Sequence, residues 1–392
     1  MPGTRRCCQG YEGTSLMSTA TPARRPTLLF VVTEDWYFCS HRLAMASAAG
    51  RAGYDVALVT RVARHGERIR QAGIRLIPFE FARGRINPLI GVRTIARLAA
   101  VYRRERPDIV HHVALEPVLY GSVAARLSGV TSVVNALTGF GWLFTSHSLT
   151  ARLLKPLIRA SLRRLLRPTW VIVQNREDAA LVRSWGVSRL HQIRGAGVDC
   201  ALFQPGDRSA GVPLVILPAR MLRDKGVLEF VAAARSIRQA GLDARFALVG
   251  SSDPDNRNAI PVAQLEAWRH EGVVEWWGHR DDMTVVYQQA DIVCVPSYRE
   301  GLPKSLIEAM AAGCPVVAAD VPGCREAVRH EHNGLLVPAR EAEPLARALT
   351  RLLCDPVERR AMGRAGRQEA MAGFSQGQVI AETLRLYAEV RR

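Results

Sequence analysis

Glu300 and Glu308 bracket the most informative segment of the chain, SYREGLPKSLIEAMAAG at 297–313. An apolar run ending at Pro296 predicts a strand, and Glu300, Gly301 and Leu302 a loop. Pro303 then suits the first turn of a helix that Gly313 closes. Such a unit aims backbone N–H groups and the positive end of a helix at whatever lies above the strand ends, an anion site suited to phosphate. Glu308 stands about five residues into the helix, ~7–8 Å along its axis. Two carboxylates so separated, with a phosphate site between them, match a nucleotide-sugar: one accepts from sugar hydroxyls, the other from ribose hydroxyls. A second segment, PARMLRDKGV at 218–227, puts Arg220 and Lys225 on a short loop before another helix. Two cations on one crevice can neutralise a diphosphate without a metal. Lys155, Lys225 and Lys304 are the chain's only lysines, and two of them fall inside these segments, as if a compact ammonium were wanted there. Alone, Glu300 and Glu308 read equally well as carboxylates that favour a helix start; beside the Arg220–Lys225 pair that reading loses force.

The first half offers less defined candidates. His111 and His112 follow a strand and read either as satisfied core histidines or as substrate contacts. Glu34 and Asp35 end the first strand, where ligands sit in doubly wound sheets, and either cap a loop or supply an acceptor-side base. Thr138, Gly139, Phe140 and Gly141 form either a lip near an acceptor or a turn. Over 149–167, Arg152, Lys155, Arg159 and Arg163 share one helical face, with Leu154, Leu157, Ile158 and Leu165 opposite and Pro156 as a kink or the true start. That is either a core helix with a solvated face or a cationic amphipathic helix lying on anionic lipid. Asp253-Pro254-Asp255 sits in a polar loop and reads as solvated surface. No His/Cys/Asp grouping has metal-ligand spacing.

These residues need a scaffold. Short apolar runs at 27–33, 54–60, 75–78, 109–112, 132–136 and 171–174 alternate with amphipathic helical stretches. The alternation restarts at 213–217, 244–250, 273–276, 291–296 and 315–319. Strand–helix alternation with apolar strands predicts parallel sheets covered on both faces, here two doubly wound units joined by a linker near 204–211. The 392 residues suit two or three domains, and no run is long enough to span a bilayer. The net charge of +17 lies entirely in residues 1–200, with 29 basic and 12 acidic side chains; residues 201–392 carry 24 of each. The first half therefore faces an anionic partner, or its arginines reflect codon drift. Residues 1–25 lack the apolar core of a secretory signal and read as a disordered leader. The eight cysteines form no C-x-x-C and read as reduced, cytoplasmic thiols.

Together, the Glu300–Glu308 E-x7-E spacing and the Arg220–Lys225 R-x4-K clamp resemble the family-4 retaining glycosyltransferases of the GT-B fold. GAGVD at 195–199, NGLLVP at 333–338 and Phe374-Ser375 add to the likeness, which covers about residues 27–390. EDWYFCSHR at 34–42, HHVALEPVLYG at 111–121 and NALTGFGWLF at 135–144 are similar to a narrower group that extends capsule, O-antigen and lipid-linked oligosaccharide chains.

The resemblance implies two Rossmann-like domains facing a cleft. An acceptor-binding domain would span 26–205 and a nucleotide-sugar-binding domain 212–373, with 374–392 returning to the first. It implies a UDP-sugar donor, often an N-acetylhexosamine, and a polyprenyl-diphosphate-linked acceptor. The enzyme would work at the cytoplasmic face of an anionic membrane, without cofactor, metal or nucleic acid. Arg220 and Lys225 would hold the diphosphate, Glu308 the ribose and Glu300 the hexose, with the Gly301–Pro303 backbone near the phosphates and Glu34, Asp35, Thr138 and Gly139 on the acceptor side. His111 and His112 would lie near the reacting centre, although the family's glycine pair is here Glu34-Asp35-Trp36, and Val113 replaces its usual histidine. A UDP-sugar epimerase on the same fold and a non-catalytic membrane- or RNA-binding module are the rivals. Neither strand–helix junction has the G-x-G-x-x-G of a nicotinamide dehydrogenase.

Overall fold

The computed structural model of the chain describes residues 24–81, 88–139, 149–207 and 211–391. Most of the predicted leader, Phe140, Gly141 and the side chain of Arg152 lie outside the described residues.

Seven parallel strands form the first sheet: β1 Thr27–Glu34, β2 Asp55–Arg61, β3 Arg75–Pro78, β4 Ile109–Val113, β5 Val133–Leu137, β6 Trp170–Val173 and β7 Leu190–Gln192, in the order β3-β2-β1-β4-β5-β6-β7. Six more form the second: β8 Leu214–Pro218, β9 Arg245–Val249, β10 Glu275–Gly278, β11 Ile292–Val295, β12 Val316–Ala319 and β13 Gly334–Val337, in the order β10-β9-β8-β11-β12-β13. Two doubly wound α/β units are thus present. Successive side chains of the central strands feed opposite cores. Leu28, Phe30 and Val32 pack on one face of the first sheet, Leu29 and Val31 on the other. Leu214 and Ile216 alternate in the same way with Val215 and Leu217. Strands buried on both faces must be apolar throughout, which is why these runs were legible. The edge strands β7 and β13 are three and four residues long and escaped the sequence reading.

In both sheets the strand order reverses at the centre, between β1 and β4 and between β8 and β11. Loops after such neighbours diverge to opposite faces and leave a crevice where ligands sit. The chain then crosses back: Val198 and Ser375 pair as a bridge, and the Gln376–Val390 helix buries Val379, Leu386 and Tyr387 in the first sheet's core. The Leu149–Leu166 helix runs through Pro156, which therefore does not mark its start.

Candidate active site

The second-domain crevice holds the two charged segments. After β8 the chain passes Arg220, makes a 3-10 turn over Arg223–Lys225 and enters the Val227–Gln239 helix through Gly226, at φ +74°. A Cβ on Gly226 would lie 2.3 Å from the Pro296 carbonyl oxygen, so glycine lets this turn press against the end of β11. The Asp224 carbonyl also accepts from the Tyr298 amide at 2.9 Å. The segments meet as Lys225 Nζ reaches Glu300 Oε1 at 2.5 Å. Lys304 Nζ, in the first turn of the Lys304–Ala311 helix, lies 2.6 Å from Glu308 Oε1, and the buried Tyr287 hydroxyl donates to Glu308 Oε2 at 3.1 Å. Arg220 Nη1 pairs with Asp253 Oδ2 at 2.9 Å. Each cation of the crevice thus stands on its own carboxylate. Asp253 is corrected from solvated surface to partner of the clamp arginine; its side chain is 17% exposed.

Gly301, Leu302 and Pro303 divide their work. The Gly301 carbonyl accepts from Asn175 Nδ2 at 2.8 Å, and a Cβ there would lie 2.3 Å from the Thr138 carbonyl oxygen. Leu302 packs into the second domain's core. Pro303, with no N–H to donate, accepts from Leu306 at 3.2 Å and starts the helix at φ −65°. Any anion contact at this helix start comes from the amides that follow it.

Several first-domain expectations change. His111 and His112 are both fully buried, and the expectation that they approach the reacting centre is corrected. His112 lies between the Tyr102 hydroxyl at 2.9 Å and Asn135 Oδ1 at 2.8 Å. His111 Nδ1 meets the Tyr387 hydroxyl at 2.6 Å, tying the C-terminal helix to β4. Burial holds both rings neutral, His112 down to about 4. Asp35 is corrected from acceptor-side base to loop anchor. Its buried Oδ2 accepts from the amides of Ala63, Arg64 and His65 at 2.7, 2.9 and 2.9 Å. Burial alone would raise its pKa, but these N–H groups, with that of Trp36, hold it below the ordinary value. Glu34 is buried with Arg61 Nε at 3.4 Å. Thr138 and Gly139 do face the cleft: a Cβ on Gly139, at φ +117°, would lie 3.0 Å from the Gly301 amide.

Further residues were missed. The Asp35–His41 helix meets the second domain at Trp36, whose ring centroid lies 5.4 Å from the Arg220 guanidinium. At its other end, burial and then the charges of Lys304, Arg42 and Lys225 lower His41 to about 3. Glu116, in the first turn after β4, is raised to about 7 by burial and the charge of Glu34. Across the domains, Asp178 takes Arg299 at 2.8 Å, and Glu326 accepts from Gln192 at 2.9 Å and from the Arg176 amide at 3.2 Å. Asn175 could have been noticed as a helix cap followed by acids, since its side chain accepts from the Asp178 amide. Nothing local marks the others.

On the Leu149–Leu166 helix, Arg159 and Arg163 are exposed, Lys155 is half-buried, and Leu162, Leu165 and Leu166 face the core. Leu157, expected opposite the basic face, is 62% exposed. No helix among the described residues is long and apolar enough to cross a membrane.

Two doubly wound domains, with a cation- and carboxylate-lined crevice at the switch point of the second, define a glycosyltransferase of the GT-B fold. The family model described as "Glycosyl transferase 4-like" matches residues 27–175, and that described as "Glycosyl transferases group 1" matches 212–355. The chain belongs to the family-4 glycosyltransferases, as the spacing of Glu300, Glu308, Arg220 and Lys225 implied. The chain is 26% identical over 340 residues to N,N'-diacetylbacillosaminyl-diphospho-undecaprenol alpha-1,3-N-acetylgalactosaminyltransferase of Campylobacter jejuni, covering 83% of this chain and 88% of that one. It is 24% identical over 304 residues to UDP-Gal:alpha-D-GlcNAc-diphosphoundecaprenol alpha-1,3-galactosyltransferase of Escherichia coli, covering 74% and 77%. Among solved structures, sucrose-phosphate synthase of Thermosynechococcus elongatus superposes with a TM-score of 0.78 at 23% identity, over 93% of this chain and 99% of that one. Anabaena HepE, solved with UDP, gives 0.72 at 18%, over 93% and 100%, and both likenesses speak to the fold.

Proposed function

We propose that the chain transfers a hexose or N-acetylhexosamine from a UDP-sugar to a polyprenyl-diphosphate-linked saccharide, with retention and without a metal, in cell-surface polysaccharide synthesis. The carrying observation is the arrangement of Lys225 on Glu300 and Lys304 on Glu308 at the second domain's switch point, beside a helix start. A diphosphate entering there competes for both ammonium groups, and the carboxylates it displaces become acceptors for hydroxyls of the same ligand. Glu300 then orients the hexose and Glu308 the ribose. The lipid-diphosphate acceptors named for the C. jejuni and E. coli relatives support the acceptor class, and the UDP bound by HepE supports the donor.

In the reaction the acceptor hydroxyl attacks the anomeric carbon from the face that the diphosphate leaves. The carbon–oxygen bond to the β-phosphate breaks, and the hydroxyl proton passes to the departing phosphate oxygen. Negative charge grows on that oxygen, where Arg220, Lys225 and the helix start stabilise it. No enzyme nucleophile is needed. The exposed Arg159 and Arg163 and the excess positive charge of the first half fit work at the cytoplasmic face of an anionic membrane.

A donor screen against a lipid-diphosphate-linked sugar, read by product mass, tests this. One nucleotide-sugar should give a product heavier by one sugar, with the donor's anomeric configuration retained. Consumption or isomerisation of the donor without acceptor would instead indicate the epimerase, and no turnover with any donor would overturn the assignment.

A further inference from the structure

We infer that Trp36 is a positioning residue for the clamp arginine: from the first domain it holds the Arg220 guanidinium over the donor crevice. The diphosphate site is then complete only when the two domains face each other. The inference rests on the donor reading above. Its basis is a direct contact between the domains, with the guanidinium carbon of Arg220 over the Trp36 ring and 5.4 Å from its centroid. That separation lies inside the ~6 Å range over which an aromatic face attracts a cation, and indole is the ring that does so most strongly.

The indole is itself held. Trp36 stands in the first turn of the Asp35–His41 helix, directly after Asp35, whose buried carboxylate accepts from the amides of Ala63, Arg64 and His65. The Tyr37 ring closes edge-on against it, with centroids 5.9 Å apart and planes at 81°. Helix start and ring are therefore fixed from within the first domain, and the half-buried indole meets the second domain in a set orientation. Arg220 has less of its own to hold it. Its side chain is 43% exposed, and among the described residues its guanidinium makes one ion pair, from Nη1 to Asp253 Oδ2 at 2.9 Å. A long exposed arginine samples many rotamers, and ordering it only when a ligand arrives weakens binding.

The two contacts act differently on an incoming diphosphate. Asp253 competes with it, because carboxylate and phosphate oxygens call on the same N–H donors. Trp36 does not compete: a ring face attracts the cation as a whole, whereas the N–H donors of the guanidinium are directed at oxygens. Phosphate can therefore replace Asp253 while the indole keeps the guanidinium in place. The contact also ties a charge that stabilises the leaving oxygen to the opposite domain. Domains that part release the arginine, so closure of the cleft and stabilisation of the leaving group arrive together.

A double-mutant cycle on the full chain tests this, read as UDP affinity by isothermal titration and as kcat/KM for the donor. W36L should weaken UDP binding roughly three- to tenfold, the scale of a cation–π contact, and W36F, which keeps a ring, roughly twofold. In an R220A background neither substitution should weaken binding further, and the acceptor's KM should stay at its wild-type value throughout. If UDP fails to bind wild type, or binds R220A as tightly as wild type, the donor reading itself is wrong. If R220A loses affinity while W36L keeps it, or W36L weakens binding by the same factor with and without Arg220, only the role of Trp36 is wrong. A W36L variant that raises the acceptor's KM and leaves UDP affinity alone would assign the indole to the acceptor sugar and overturn the inference. Should W36L not fold, W36F carries the same cycle, and a W36F loss that is absent, or that persists undiminished in R220A, overturns it equally.

Discussion

Asn175 of the first domain donates its side-chain amide to the Gly301 carbonyl of the second at 2.8 Å and to Asp178 Oδ2 at 2.9 Å, all within a buried contact. The loop carrying Glu300 is thereby fastened to the opposite domain at the residue next to the carboxylate. N175A leaves a buried carbonyl and part of a carboxylate without their donor, a cost of about 1–3 kcal/mol. The expected result is a lower melting temperature together with a several-fold rise in the donor's KM and a smaller change in kcat. Calorimetry and steady-state kinetics check it, and unchanged values for both would show that the loop is held elsewhere.

Glu308 is the most enclosed carboxylate of the crevice, at 7% exposure, and its two oxygens serve Lys304 and Tyr287. E308Q keeps the shape but removes the charge that competes for Lys304 and accepts from ribose. Loss of a charged acceptor costs about 1.5–3 kcal/mol, so UDP affinity should fall roughly 10- to 100-fold. Y287F removes only the hydroxyl that orients the carboxylate and should weaken binding less. Equal affinities in E308Q and wild type would take Glu308 out of the nucleotide site.

What could be read from the sequence follows from how local each signal is. The charged loops were legible because Arg220, Lys225, Glu300 and Glu308 stand beside their own strands and helices, each marked by Pro or Gly. The fold was legible because strands such as 28–32 bury both faces. The histidines misled because their partners lie far along the chain: Asn135 is 23 residues from His112, and Tyr387 is 276 from His111. Asp35 looked like a base for the same reason, since the amides that occupy it are 28 to 30 residues away. Asp178 and Glu326 matter through contacts that exist only once two domains meet, and periodicity carries no trace of that. Asp253 was set aside on composition, whereas it is the loop after β9 that carries it to Arg220.

Glu116 gives the first domain a measurable pH signature. Burial, then the neighbouring Glu34 charge, raises it from 4.5 to about 7. Between those values the folded chain holds a proton that the unfolded chain has released, so stability is greatest below the window and falls as pH rises through it. The loss amounts to at most about 3.5 kcal/mol, since each pKa unit corresponds to about 1.4 kcal/mol. E116Q should flatten the fall, which urea unfolding across the window would reveal. A wild-type slope in E116Q would place the proton on another group.

The Leu149–Leu166 helix decides whether the first domain's positive charge is for lipid. Arg159 and Arg163 are exposed one turn apart, and Leu157, well round the helix from both, is 62% exposed, so the accessible surface carries an apolar side chain as well as charge. A basic side chain near an anionic surface contributes about 1 kcal/mol, so R159Q/R163Q should weaken partitioning to phosphatidylserine-containing vesicles roughly 30-fold. Both arginines stand clear of the buried Leu162, Leu165 and Leu166, and stability should change by no more than about 0.5 kcal/mol, as for other surface substitutions. Transfer to a short-chain soluble acceptor should persist in the double variant, whereas transfer to the vesicle-embedded acceptor should fall. The difference should shrink with added salt, because exposed charges are screened within about 10 Å at ~0.1 M. Vesicle sedimentation that is indifferent to both the substitutions and the salt would assign this face to solvent alone.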